Sequence, residues 1–234
     1  MNPESNPLDH PQADRLLRVA DELRALSHNG LHYTKDPYQI ERYQRILELS
    51  AQLMELVDDL PPEEIRRYTF HDLPYRAPYP VVDTAVFDEA GRLLLIQRAD
   101  NGRWALPGGA AEVGETPMVN AAREVWEETG YVAAITHYLG VFDNRVAWGA
   151  SRHHLYIHLF AGQVVGGQPL VTRETLDLGW FAPEAIPWEQ LNGSTPARIR
   201  HALAWRQDPS LPPHFDRVEW QPQATSQHEQ PEEG

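Results

Sequence analysis

The sequence predicts an α/β protein, a sheet with helices on its faces, preceded by a small helical domain. Three observations carry that expectation. Two long amphipathic segments fill the chain before Pro61. After Pro74 the texture changes to short runs of aliphatic and β-branched residues, and two further helical patterns are interleaved with those runs. Strands interleaved with helices imply a sheet that the helices cover. At roughly 150 residues per domain, 234 residues suggest one to two domains, enough to bury a sizeable core without disulfide or zinc staples.

The elements follow in order. Residues 1 to about 12 are polar and proline-rich and read as a flexible start. A first helix is expected from about Asp14 to His28, with Leu16, Val19, Ala20, Leu23 and Leu26 at helical spacing and Gly30 as its stop. A second opens with Asp36 as N-cap and Pro37 at the first helical position, and runs to about Asp59 before Pro61-Pro62. Its apolar stripe, including Ile40, Tyr43, Leu47, Leu49, Leu53, Leu56 and Leu60, is wider than the first helix can cover. A homodimer built on these helices is one expectation; a three-helix cap completed by Pro62 to Tyr68 is the other. Strands are expected at Val81 to Phe87 and Leu93 to Ile96, joined by a turn containing Gly91, and later at about Val132 to Phe142, His154 to Val165 and Leu178 to Phe181. Helices are expected at Pro117 to Thr129 and Pro196 to Trp205, and residues 207–234 read as a flexible acidic tail. The domains are thus 13–72 and 73–206.

Composition excludes several functions. There is no cysteine, which removes a disulfide framework, a thiolate metal site and a cysteine nucleophile. Lys and Arg number 20 against 34 Asp and Glu, a net charge of −14, so a general grip on nucleic acid or an anionic membrane is not expected. The N-terminus lacks the basic and apolar regions of a secretory signal, and the expected setting is cytoplasmic.

The chemistry concentrates between Gly108 and Gly130. Thr116 and Pro117 start a helix there and Gly130 ends it. On that helix Glu124, Glu127 and Glu128 fall at i, i+3 and i+4, so three carboxylates share about 100° of arc. Like charges so spaced cost an isolated helix roughly 0.2–0.5 kcal/mol per pair. No lysine relieves them. A hard divalent cation, Mg²⁺ or Mn²⁺, suits an all-oxygen site that also meets substrate phosphate. Glycines at 108 and 109 let backbone approach it closely. Three glutamates alone also describe an ordinary solvated helix face, and the wider spacing decides.

Gly109, five residues, Glu115, seven residues, Arg123-Glu124-Val125, one residue, Glu127-Glu128, one residue and Gly130 together resemble the signature of the Nudix hydrolases. Seven identities at fixed offsets, each met at roughly one in twenty by average usage, leave no room for coincidence. One position departs: Tyr131 stands where the family usually has an aliphatic residue. The resemblance implies an α/β/α sandwich with a mixed sheet over about residues 75 to 206, and hydrolysis of a nucleoside diphosphate linked to another moiety X, with Mg²⁺ or Mn²⁺. It implies that Glu124, Glu127 and Glu128, with the Gly109 carbonyl, hold the metal, and that Arg123 and Glu115 pair to brace the loop. Either Glu127 or Glu128 takes the proton of the attacking water, or a carboxylate on a later loop does so, for which Glu174 and Asp177 are the candidates.

A second resemblance lies in Ala20 to Leu26, Gly30 to Tyr38 and Glu41 to Tyr43, which look like the helical extension of the Nudix branch acting on X-linked nucleoside diphosphates, including CDP-choline and ADP-ribose pyrophosphatases. Tyr33, Tyr38 and Tyr43 are candidates to stack on a base or to face a quaternary ammonium, against half-buried packing tyrosines. Trp104 is either a base platform or a core residue, and Arg98 either touches phosphate or is an exposed strand-end arginine. His153, His154 and His158 read as strand residues rather than metal ligands. Two other functions stand beside hydrolysis of a small nucleotide: RNA end processing, which needs a basic track, and a catalytically silent ligand sensor, which the intact carboxylates speak against.

Overall fold

A computed structural model describes residues 11–57, 60–70, 77–148 and 154–219. Three helices come first: α1 (Pro11–Tyr33), α2 (Pro37–Met54) and α3 (Pro62–Phe70). Asp36 caps α2 as expected, its carboxylate accepting from the Tyr38 N–H at 3.0 Å. Gly30 does not stop α1, which continues through it to Tyr33. A Cβ there would lie 2.2 Å from Cζ of Tyr43, so the glycine exists to admit that ring. Tyr43 is therefore a packing residue between α1 and α2. The three helices are tied by hydrogen bonds as well as apolar contact: Ser50 donates to the Ala20 carbonyl at 2.6 Å, and the His28 ring meets the Thr69 carbonyl at 2.8 Å. The intramolecular cap thus forms, and Leu49 and Leu56 remain on its outside.

The second part is a seven-stranded mixed sheet in the order β3-β2-β1-β6-β5, with β4 also paired to β1 and β7 to β2. Its strands are β1 (Tyr79–Phe87), β2 (Leu93–Arg98), β3 (Trp104–Ala105), β4 (Gly108–Ala110), β5 (Tyr131–Asp143), β6 (Leu155–Gly167) and β7 (Thr175–Phe181). Among the described strand pairs only β1 and β6 run parallel. The strand runs read from the sequence are all present. The two short strands, β3 and β4, carry no periodicity of their own at two or three residues.

Alternation along β1 assigns the faces. Ala85 and Phe87, with Leu93, Leu95, Leu159 and Ile199, face α6 (Thr195–Gln207), while Val82 and Val86, with Leu94, Ala121 and Val125, face α4 (Pro117–Thr129). Helices on both faces explain why the central strand is buried over a continuous run. A short helix, α5 (Asn144–Trp148), follows β5.

The tail expected to be flexible from 207 begins with an ordered stretch. His214 donates its backbone N–H to Leu139 and accepts from Val141, its ring stacks on Phe142 at 3.9 Å, and Asp216 accepts from the Asp143 N–H. Gly140 makes room for it, since a Cβ there would meet the His214 backbone at 2.3 Å. Residues 220–234 lie outside the described residues, as does His153.

Candidate active site

The site is built where β4 passes the inner face of α4. Thr116 accepts from the Val119 N–H to open the helix, and Gly130, at φ +73°, closes it with its N–H on the Trp126 carbonyl. That fixes the helical phase, which turns Glu124 and Glu128 inward, 8% and 5% exposed, and leaves Glu127 on the open side. The Gly108 N–H donates to Glu128 at 2.8 Å. At Gly109 a Cβ would come within 2.7 Å of all three atoms of the Glu124 carboxylate, so only glycine lets this backbone lie against it.

Arg123 is the hub. Its Nε donates to Glu115 at 2.9 Å, Nη1 to Glu124 at 3.0 Å and to Glu127 at 2.8 Å, and Nη2 to Asn120 at 2.9 Å. Asn120, buried on the inner face, also accepts from the Glu112 N–H and so ties the loop to the helix. One guanidinium therefore braces the loop and spans two of the three helix carboxylates, the buried Glu124 and the exposed Glu127. The charge balance stays negative. Burial pushes the Glu128 carboxyl up to about 8, the charges of Glu124 and Asp83 add to that, and the Gly108 N–H and Arg98 oppose it. Burial also raises Glu124, with Arg123 pulling down and Glu127 and Glu174 pushing up.

These residues fit a hard divalent cation by chemistry. All donors are oxygens, and one guanidinium, that of Arg123, is shared among Glu115, Glu124 and Glu127, while Glu128 is met by the Gly108 N–H. As the side chains stand, no group of three His, Asp or Glu among the described residues forms a ready cage, and Arg123 Nη1 sits between Glu124 and Glu127. A cation held by Glu124 and Glu127 would have to displace that guanidinium nitrogen.

A cavity of about 970 Å³ opens over this face. Gly108, Gly109, Arg123, Glu124, Glu127 and Glu128 form its floor, with Arg98 and Glu174 at one side. Arg98 is held by a two-pronged pair with Asp100 at 2.9 and 3.0 Å. Its far wall is α1, through Arg24, Leu26, His28 and Asn29 among others. No spacing in the chain marks α1 as part of that wall. Other candidates lie elsewhere. Trp104 packs edge-on against Phe181 at 4.9 Å in the core, and Tyr38, on α2, is exposed; neither lines the cavity. Tyr33 and Asp177 are also absent from its walls. His154 pairs with Asp143 at 2.8 Å and His158 with Tyr138 at 3.1 Å, each with one partner, as strand residues do.

Comparison with known proteins finds matches over both parts of the chain. Residues 77–205 match the family model described as the NUDIX domain, and residues 14–69 match the one described as a UDP-X-like, N-terminal oligomerisation domain. The protein named "Putative ADP-ribose pyrophosphatase YjhB" of Bacillus subtilis (strain 168) is 29% identical over 201 residues, 86% of this chain and 96% of its own. An ADP-ribose pyrophosphatase of Methanocaldococcus jannaschii is 35% identical over 116 residues, 48% of this chain and 67% of its own. The crystal structure of a UDP-X diphosphatase superposes with a TM-score of 0.54 at 27% identity, covering 83% of this chain and 94% of that one.

Proposed function

The chain belongs to the NUDIX family, and from that premise we propose that it is a metal-dependent pyrophosphohydrolase acting on a nucleoside diphosphate linked to a second moiety X, of the ADP-ribose, UDP-X or CDP-choline type. The products are a nucleoside monophosphate and phospho-X. One observation carries the reading: the cavity over the carboxylates is walled on its far side by α1 of the N-terminal extension. A chamber of about 970 Å³ lined by both α1 and the carboxylate helix has room for a group at each end of the diphosphate.

A divalent cation, Mg²⁺ or Mn²⁺, supplies there the positive charge that a diphosphate repelling hydroxide needs, and lowers the pKa of a water. Glu124, Glu127 and Glu128, with the Gly109 carbonyl, are the ligands. Arg123, anchored on Glu115 and Asn120, keeps helix and loop at fixed separation when it yields Glu124 and Glu127. Arg98 faces the phosphates. Glu127, exposed to the cavity, accepts the proton from water, with Glu174, which also lines the cavity, as the second candidate. The match of 14–69 to an oligomerisation domain, with Leu49 and Leu56 outside the helical cap, supports a homodimer through these helices. A net charge of −14 disfavours an RNA substrate.

The test is a substrate panel in isotopically labelled water with Mg²⁺ and with Mn²⁺: ADP-ribose, a UDP-sugar, CDP-choline, dinucleoside polyphosphates, nucleoside triphosphates and 5′-triphosphorylated RNA. Preferred cleavage of one of the first three, with one labelled oxygen per turnover, supports the proposal. Preference for triphosphates or RNA overturns it.

A further inference from the structure

Beneath the glycines of β4 lies a buried ion pair that the reaction as described does not use. Asp83 stands in the middle of β1, in register opposite Gly108 of β4, and Arg198 stands in the first turns of α6. The Arg198 Nε donates to Asp83 Oδ2 at 2.7 Å, Nη1 to Ser194 Oγ at 2.6 Å and Nη2 to Thr195 Oγ1 at 3.2 Å. The two side chains are 6% and 10% exposed. A buried pair of this kind gives little stability over well-packed apolar residues of the same volume. Folding alone is a poor account of it.

Its other side touches the site. A Cβ on Gly108 would lie 2.6 Å from Asp83 Oδ1 and 2.2 Å from the Val82 carbonyl, so the backbone of β4 rests directly on that carboxylate. The Gly108 N–H holds Glu128, and the next residue lies against Glu124. Contact is therefore unbroken from α6 through Arg198, Asp83 and Gly108 to the inner carboxylates. We propose that Arg198, acting through Asp83, is a positioning residue that sets the height of the Gly108–Gly109 backbone of β4 against Glu124 and Glu128, and with it the geometry in which those carboxylates take a divalent cation. This rests on the reading of those glutamates as cation ligands. The guanidinium matters for its shape, because three of its nitrogens are used at once and a lysine brings only a point charge.

Calorimetric titration of the full chain with Mn²⁺, without nucleotide, tests it. The variants are Arg198→Lys, Arg198→Met and the double variant Asp83→Asn with Arg198→Gln, each checked for cooperative unfolding. The double variant leaves no unpaired charge, so it stays informative where Arg198→Met fails to fold. Groups that orient metal ligands typically change affinity about 10- to 100-fold when altered. That weakening of Mn²⁺ binding is expected in Arg198→Met and the double variant, and a smaller one in Arg198→Lys, with the nucleotide KM at saturating Mn²⁺ within about threefold of the parent. Folded variants that bind Mn²⁺ as tightly as the parent chain overturn the inference. A parent chain that itself binds no Mn²⁺ is a separate result: it overturns the proposed function, and the inference with it.

Discussion

Replacing Glu128 by Gln separates the cost of this site from its use. The amide still accepts from the Gly108 N–H, but the buried charge is gone. In the parent chain, burial lifts this carboxyl from 4.5 to about 8, a difference worth roughly 5 kcal/mol at 1.36 kcal/mol per unit. The sign follows from linkage. Below pH 4.5 the group is protonated both folded and unfolded and costs nothing. As pH rises toward 8 the unfolded chain ionises freely while the folded chain resists, so folded stability falls across that window and the deficit is complete above it. Glu128→Gln should therefore gain stability over the parent progressively from pH 4.5 to 8 when chelator is present. Above pH 8 the gain reaches a few kcal/mol, or roughly 10 °C in the unfolding midpoint. Mg²⁺ should raise the midpoint of the parent and not of the variant, and turnover should fall by orders of magnitude. Thermal unfolding from pH 4 to 9, with EDTA and with Mg²⁺, measures all of this except turnover. Parallel pH curves for the two proteins would refute the burial argument, and equal stabilisation by Mg²⁺ would refute the ligand role.

Three other outcomes are expected. Gly109→Ala puts a methyl group 2.7 Å from the Glu124 carboxylate, so kcat should drop about 100-fold or more with cooperative unfolding retained; a rate within threefold of the parent would show that the backbone does not lie against that group. Glu127→Gln, at an exposed position, should lower turnover by orders of magnitude with an unchanged unfolding midpoint, and a near-normal rate would move the general base to Glu174. Leu49→Glu combined with Leu56→Glu, an exposed leucine of α2 and one in the turn that follows it, should halve the mass seen by light scattering after gel filtration; a parent chain that is already monomeric would remove the proposed dimer.

How much was legible varies by element. The α4 helix was readable end to end because its boundaries are chemical: Thr116 and Pro117 open it and Gly130 closes it, whatever surrounds them. Gly30 looked like the same kind of stop and was not, since a glycine can serve a turn or the close approach of a ring, and only the position of Tyr43 distinguishes them. Trp104 and Arg98 looked alike as candidates beside the loop, yet one packs on Phe181 and the other lines the cavity. Asp83 carried a signal that passed unread, a carboxylate amid Val82, Thr84, Ala85 and Val86 in a strand buried on both faces, where a charge requires a partner.

By itself the sequence determined the local chemistry: a glycine turn, one helix with three inward or cavity-facing glutamates, and an arginine spaced to brace them, all within 22 residues of Gly108. Helical phase and capping are properties of neighbours along the chain, so no distant contact was needed to place those groups relative to one another. Tertiary structure alone decided what surrounds them: α1 as the far wall of the cavity, and Arg198 reaching Asp83 across 115 residues. Such pairings depend on how helices dock on a sheet, which is settled by the summed burial of many side chains and leaves no mark at any single spacing.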